Sequence, residues 1–422
     1  MAGVAQDPSA DAESASPTAT APTTAPSTAP STATSGQSEK FDAVAVGTMS
    51  FGHFIHDVYP AFLAPLLPLL IAKHGLTLGA AGVLLSVLRW SALIQPFLGI
   101  LADRSDARYW IILAPTVTAL GMSLLGLAPN YLTLIVLLAM AGLSHAAFHP
   151  AGGSQVTRFS GRYWGRGTSF WITGGELGRA VGPLLIVACV DAVGLEMSWI
   201  AVGPAIIASM LLYWRIGKGQ RLRIGAKPPN LWLAVKQAGR PLLLLAGIII
   251  LRNLGTASFT FFFPTYVTSL GGELLYGALA LTVFELAGAA GALAGGTLSD
   301  KYGRRSQLAI STAISGPLLF SVFLVPEGWP QLTILVAAGL IAFLSAPVQM
   351  VLVQELLPDN RSSAMGIMMM LGLGGTILAT VAVGFIADYA GLGVTLAVSM
   401  LLSTLPLPLV FMLPETHQHR AA

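Results

Sequence analysis

The sequence predicts an all-α membrane protein, with twelve transmembrane helices in two six-helix bundles and both termini in the cytoplasm. Three observations predict it. Hydrophobic residues make up 54% of the chain and charged ones only 10%, with a mean hydropathy of +0.74, a balance foreign to a soluble domain of this length. About twelve apolar runs are long enough to cross the hydrocarbon core as helices. A short motif in the first half returns 197 positions later in the second.

The elements follow in order. Residues 1–38 are Ala, Ser, Thr and Pro with a few acids. They lack the basic start and apolar core of a signal peptide and read as a disordered tail. Apolar runs then occupy roughly 42–72, 79–102, 109–128, 131–155, 165–190, 196–216, 241–269, 275–298, 306–325, 331–356, 362–387 and 392–413. Residues 39–216 are thus an N-terminal bundle, 217–240 a linker, 241–414 a C-terminal bundle and 415–422 a short tail.

The linker carries Lys218, Arg221, Arg223, Lys227, Lys236 and Arg240 and no acid, which assigns it to the cytoplasm by the positive-inside bias. Six spans on either side then bring both termini to the same side. The alternate loops agree, because Arg104, Arg108, Arg158, Arg162, Arg166, Lys301, Arg304, Arg305 and Arg361 fall on the inner side. Asp191, Glu196, Glu273, Glu327 and Asp388 fall on the outer side, with Lys73 the exception. The lone cysteine, Cys189, excludes a disulfide framework or a thiolate metal cage.

Two like halves joined by a basic linker form the layout in which two bundles rock about a site at the membrane midplane. Ionisable residues inside the spans mark that site, because each costs free energy in hydrocarbon unless it is paired or wet. The first span has His53, His56 and Asp57 with Pro60, at offsets that share one helical face. The second has Arg89. The fourth has His145 and His149 before Pro150, and the fifth has Glu176 and Arg179, three apart and able to pair. Arg252 lies in the seventh beside Asn253, and Glu285 in the eighth, 196 positions after Arg89. Arg89 and Glu285 could bridge the halves or act as separate site groups.

The repeated motif is Gly99, Asp103, Arg104 and Arg108 in the first half and Gly296, Asp300, Lys301, Gly303, Arg304 and Arg305 in the second. The glycine would admit a neighbouring helix, and the aspartate would accept hydrogen bonds from a facing helix N-terminus. The pair resembles the conserved loop motif of the major facilitator superfamily. The second copy fits well, whereas the first has Ser105, Asp106 and Ala107 where the family usually has a residue, Gly and Arg.

His53-Phe54-Ile55-His56-Asp57 opening the first span, with Ala146-Ala147-Phe148-His149-Pro150 closing the fourth, is similar to the fosmidomycin-resistance branch of that superfamily. The resemblance implies proton-driven export of small molecules, including a phosphonate antibiotic, at the inner membrane of a bacterium. The chain departs from many of the superfamily's proton antiporters in having His145 and His149 where they carry a fourth-helix arginine. Of their fifth-helix glycine motif, Gly178-x-x-x-Gly182-Pro183 is present but the trailing glycine pair is not.

The expected function is therefore a proton-coupled exporter of an anionic or amphiphilic compound, with an organic-anion importer as the runner-up. Asp57, His56 and Glu176 are expected to carry or relay protons, since a carboxylate in a water-poor cavity can load on one side and release on the other. His53, Arg89, His145, His149, Arg179, Arg252 and Glu285 are expected to bind substrate, the arginines by gripping a carboxylate or phosphonate with two donors. Gly99, Asp103, Arg104, Gly296, Asp300 and Arg304 are expected to gate.

The histidines and Asp57 would also suit zinc or nickel, which keeps a divalent-metal transporter among the alternatives. Histidine in a transport cavity more often serves substrate or protons, so no metal or cofactor is assigned. A receptor that binds without transporting is the rival from another class. No His-Glu-x-x-His, P-loop or dinucleotide pattern occurs, so the chain is not expected to be an enzyme. Its basic residues are scattered over membrane loops, which argues against nucleic acid. The expected partners are a small-molecule substrate, protons and the lipid bilayer, with the protein a monomer.

Overall fold

The fold is described from a computed structural model, in which residues 40–94, 98, 107–217, 231–357 and 361–414 are described. These residues are helical, with no strand among them. The helices are α1 (Ala43–Val58), α2 (Leu63–His74), α3 (Leu78–Trp90), α4 (Ala107–Ser123), α5 (Tyr131–Phe159), α6 (Trp164–Val193) and α7 (Gly203–Ile216). They continue with α8 (Leu231–Ser269), α9 (Leu274–Tyr302), α10 (Arg304–Ser321), α11 (Trp329–Phe343), α12 (Ser345–Leu356), α13 (Arg361–Ala390), α14 (Leu392–Leu402) and α15 (Leu407–Phe411).

Among the described residues, ten helical stretches are long and apolar enough to cross a membrane, the first being Ala43–His74 and the last Leu392–Phe411. The run expected over 79–102 is described only in part, and α3 is its visible portion. Helix α6 is long enough, at 30 residues, but Arg166, Glu176, Arg179 and Asp191 make it the most polar of the long helices near the site.

Local chemistry sets the helix ends. Asp42, Thr77 and Asn130 cap α1, α3 and α5 by accepting the amides of Ala45, Ala80 and Thr133. Gly75 closes α2 at φ 61°, a left-handed turn that glycine adopts without steric cost. Gly239, at φ 52°, breaks α8 near its start. Lys73, the exception to the charge bias, donates to Glu196 at 3.0 Å and to the Gly126 carbonyl at 2.7 Å, so acidic and carbonyl oxygens neutralise it at its own end of the bundle.

Packing falls into three kinds. Helix α1 lies on α6, α4 on α5 and α7, and α3 on α5. Later in the chain α9 packs on α11, α8 on α13 and α14, and α10 on α11. Helices α3, α2 and α6 then meet α13, α8 and α9 respectively. Small residues make the closest contacts, because without a hydrophobic drive between helices in lipid, tight backbone approach carries the association. On α6, a Cβ at Gly174, Gly178 or Gly182 would lie 2.3–2.5 Å from the carbonyl oxygens of Ser50, Phe54 and Val58 on α1. That glycine stripe, four residues apart, presses α1 against α6 and fixes the register of Asp57.

The second gating motif departs from expectation in one respect. A Cβ at Gly296 would meet open space, whereas one at Gly295 would lie 2.4 Å from the Leu344 carbonyl oxygen. The close approach therefore belongs to Gly295, one position earlier, because that face of α9 points at the α11–α12 junction. Arg304, at the first turn of α10, forms an ion pair with Glu355 of α12. The side chain of Asp300 and all of Gly99, Asp103 and Arg104 lie outside the described residues.

Candidate functional site

Asp57 sits at the centre of a polar cluster built from α1, α5 and α6. It is 2% exposed. Its Oδ2 faces His53 Nε2 at 3.3 Å and Arg179 Nη1 at 3.8 Å, and its Oδ1 faces His149 Nε2 at 3.6 Å and His145 Nδ1 at 3.9 Å. The expected face of α1 is real: His53, His56 and Asp57 are all buried together.

The histidines have distinct settings. His53 Nδ1 lies 2.8 Å from the Trp171 carbonyl oxygen, which can only accept, so Nδ1 carries a hydrogen. Its Nε2 and Asp57 Oδ2 then face each other with one proton to share. His53 also stacks on the Trp171 ring at 4.0 Å and His56 on Phe148 at 4.0 Å. His56 Nε2 is 3.2 Å from His145 Nδ1, and His145 Nε2 is 3.1 Å from His149 Nε2. The three rings form a chain of N–H···N contacts running from α1 to α5.

Glu176 and Arg179 pair one turn apart on α6, as their spacing predicts. Arg179 thus joins two carboxylates, Glu176 and Asp57, and also borders a cavity of about 250 Å³. That cavity lies between the early and late helices. Arg89, Arg179, Asn253, Thr260, Phe261 and Glu285 give it its polar and aromatic lining. The Arg89 guanidinium lies over the Phe261 ring at 4.2 Å. No ion pair within 4.0 Å joins Arg89 to Glu285 among the described residues, so the two are separate groups on one wall of space.

Arg252 does not reach this cavity. It is 5% exposed and donates to Thr312, Ser311 and Ser345 and to the Ala342 carbonyl at 2.8–3.1 Å. Its charge is spread over hydroxyls of α10 and α12, and its neighbour Asn253 faces the cavity instead. Nothing in the spacing of α8 distinguishes the two.

Several neighbours were not singled out from the sequence. Gly175 is one, since a Cβ there would lie 2.5 Å from His53 Cε1 and 3.0 Å from Asp57 Oδ2. Its lack of a side chain makes room for the pair. Phe148 and Trp171 sheathe the histidines, and Phe261 holds Arg89; from the sequence they stand out only as aromatics at the depth of the site, which more often pack or face lipid and so do not mark it. Asp388, at the end of α13, accepts from the amides of Leu78 and Gly79 at 2.7 and 2.9 Å, clamping the start of α3.

A helical membrane fold with a polar midsection and a cavity between its early and late helices defines a class, that of small-molecule transporters. The chain belongs to the Major Facilitator Superfamily, whose family model matches residues 49–380 and 250–422. It is a multi-pass membrane transporter of that type. It is 28% identical to an uncharacterized MFS-type transporter, YfnC, of Bacillus subtilis, over 87% of this chain and 92% of that one. It is 24% identical to the fosmidomycin resistance protein of Escherichia coli, over 88% and 93%. Multidrug resistance protein MdtG of Salmonella typhimurium is 27% identical over 67% and 73%.

Among solved structures, a bacterial homolog of the human lysosomal transporter Spinster, in its inward-facing and occupied conformation, superposes with a TM-score of 0.75. The identity is 13%, over 88% of this chain and 96% of that one. The nucleoside transporter NupG superposes at 0.67, with 13% identity over 88% and 98%. These two likenesses speak for the fold.

Proposed function

We propose that the protein is a proton-coupled exporter of a small anionic or amphiphilic compound, of the kind represented by fosmidomycin, working by alternating access. One observation carries the reading. A buried carboxylate, Asp57, touches three histidines and Arg179, and Arg179 in turn borders the cavity that Arg89 and Glu285 also line. Proton acceptor and anion-binding cations thus share one residue, so a proton arriving at Asp57 changes the field that a bound anion feels. The names of the Escherichia coli and Salmonella relatives support export over import.

In this reading α3 and α6 join the ten apolar stretches to make twelve spans, in two six-helix bundles with both termini in the cytoplasm. The basic 217–240 linker supports that orientation, and the membrane is the bacterial inner membrane. The α3–α13 contact then closes the outer end of the cavity. Asp57 carries the proton, with His56 relaying and Glu176 releasing Arg179 when it is itself protonated. Arg89, Arg179 and Glu285 bind the cargo, His53, His145 and His149 tune the acceptor, and Arg252 holds the late helices together.

The test is proton flux in proteoliposomes holding the purified protein, with fosmidomycin, organic anions and cationic drugs added in turn. Proton movement opposite to a compound, abolished in Asp57→Asn, is the expected result. Flux in the same direction as the compound would replace export with import, and coupling that survives Asp57→Asn would remove Asp57 from the mechanism.

A further inference from the structure

The histidine chain leaves buried polar atoms unexplained, His56 Nδ1 at its own end and Asp57 Oδ1 beside it. In a run of three neutral imidazoles the two inner contacts satisfy each other, because each needs one N–H donor and one bare nitrogen. The run cannot serve Asp57 Oδ1, which is buried and has no hydrogen-bond partner. That oxygen looks towards His149 Nε2 and His145 Nδ1 from 3.6 and 3.9 Å, too far for a hydrogen bond to either. One donor atom each from His56, Asp57, His145 and His149 lies within 4.8 Å of every other.

We propose that His56, Asp57, His145 and His149 form a binding site for a divalent transition-metal ion of the zinc class. Three nitrogens and one carboxylate oxygen are a borderline donor set, matched to zinc, cobalt(II) or nickel and poorly to magnesium or calcium, which take oxygen. With metal–ligand bonds of about 2.0–2.2 Å, tetrahedral donors sit roughly 3.3–3.5 Å from one another. The His56–His145 separation of 3.2 Å and the His149–Asp57 separation of 3.6 Å are already near that figure. The remaining separations are all within 4.8 Å, a gap that small side-chain rotations on α1 and α5 can close.

The outer contacts suit the same role. His53 is anchored by the Trp171 carbonyl and faces Asp57 Oδ2, which steers the other oxygen, Oδ1, inward; second-shell partners of this kind orient metal ligands. An entry path exists, since the side chains of His145 and His149 are 34% and 22% exposed while Asp57 and His56 are buried. Metal and proton are alternative occupants of Asp57, a consequence that rests on the proton-coupling reading. Binding itself does not, and it is measured without cargo or gradient.

The experiment uses the full chain, purified in detergent through a tag free of histidine and stripped with chelator, then titrated with cobalt(II) and competed with zinc. The expected result is one equivalent of cobalt per chain, with the intense visible bands of a tetrahedral site. Zinc displaces it, and His74→Ala, which lies outside the cluster, leaves binding unchanged. The double variant His145→Ala/His149→Ala weakens binding at least ~100-fold. If that variant elutes as aggregate, the isosteric Asp57→Asn must weaken it instead. No tetrahedral spectrum up to about 1 mM cobalt, or binding that survives these substitutions, would overturn the site and leave proton coupling to be judged on its own assay.

Discussion

Replacing Asp388 with Asn should open the end of the bundle where α3 begins. Both carboxylate oxygens are used there, Oδ1 by the Leu78 amide and Oδ2 by the Gly79 amide, and Thr77 takes the Ala80 amide. First-turn amides have no partner within their own helix, so Asp388 completes α3 from more than 300 positions away. Gly79 is what admits it, because a Cβ there would sit 2.8 Å from Oδ2. Asparagine keeps one acceptor, turns an N–H₂ towards the other amide, and loses the charge that the helix N-terminus favours.

A hydrogen bond to a charged group contributes about 1.5–3 kcal/mol and the helix-terminus charge about 0.3–1. Allowing for partial exposure, the loss is about 2 kcal/mol, or a roughly 30-fold shift away from the closed state. Spin labels on cysteines at Leu132 and Trp329, in a Cys189→Ser background, report the opening as a longer distance whose population rises in Asp388→Asn. An unchanged distance distribution, or a shift towards the short distance, would refute the clamp.

Arg89 and Arg252, neither of them in an ion pair among the described residues, should behave differently. Arg89→Met should weaken an anionic ligand by about 10–100-fold in equilibrium binding, the worth of one charge-assisted contact. Arg252→Met should leave affinity within about twofold and lower only thermal stability, because Ser311, Thr312, Ser345 and the Ala342 carbonyl lose their donor away from the cavity; a matched loss in both would put Arg252 in the cavity. Gly178→Leu should lower the melting temperature in detergent by overpacking α1, at a cost of about 1–3 kcal/mol or more, and a wild-type melt would contradict the glycine stripe.

At Asp42, burial pulls the carboxyl up, but the Ala45 amide, Arg215 and the Val44 amide together hold it below the usual 3.8. A lowered folded value means the stabilisation is fully present above pH 3.8 and is lost as pH falls through that folded value. Asp42→Ala should therefore cost about 1 kcal/mol at neutral pH. The gap from wild type should narrow as the pH falls below 3.8; a gap that widens on acidification would contradict the cap.

What could be read from the sequence was whatever lipid or local spacing dictates. The apolar runs at 131–155 and 331–356 became α5 and α11–α12 because bilayer thickness sets their length. The Glu176 to Arg179 pair follows from one turn of helix. His53, His56 and Asp57 were legible as one face for the same reason. That this face meets His145 and His149 was not, because the meeting depends on how far Gly174, Gly178 and Gly182 let α1 sink onto α6.

Arg252 failed differently. Its partners Ser311, Thr312 and Ser345 lie 59–93 positions away, and a lone intramembrane cation looks the same in sequence whether hydroxyls or a ligand satisfy it. Asp388 read only as an outer-side acid, since its role requires knowing that α3 starts beside it.

Under the proposed function, the contrast between Arg89, Arg179 and Arg252 bears on the charge of the cargo. Arg179 already answers to Glu176 and Asp57, and Arg252 to a ring of hydroxyls and a carbonyl. Arg89 has the face of Phe261 and, among the described residues, no carboxylate within ion-pair distance. Phe261 fixes the guanidinium without neutralising it, which leaves its donors directed into about 250 Å³ of space. A single anionic group on a partly apolar molecule fits such a wall. An anion seated on Arg89 draws on Arg179 as well, and the share that Arg179 gives to the anion is withdrawn from Asp57. On that proposal, coupling between cargo and proton needs no long pathway but one guanidinium divided between two acceptors, and Arg179→Lys, which cannot fork between them, should retain anion binding while losing stoichiometric proton exchange in the same proteoliposomes.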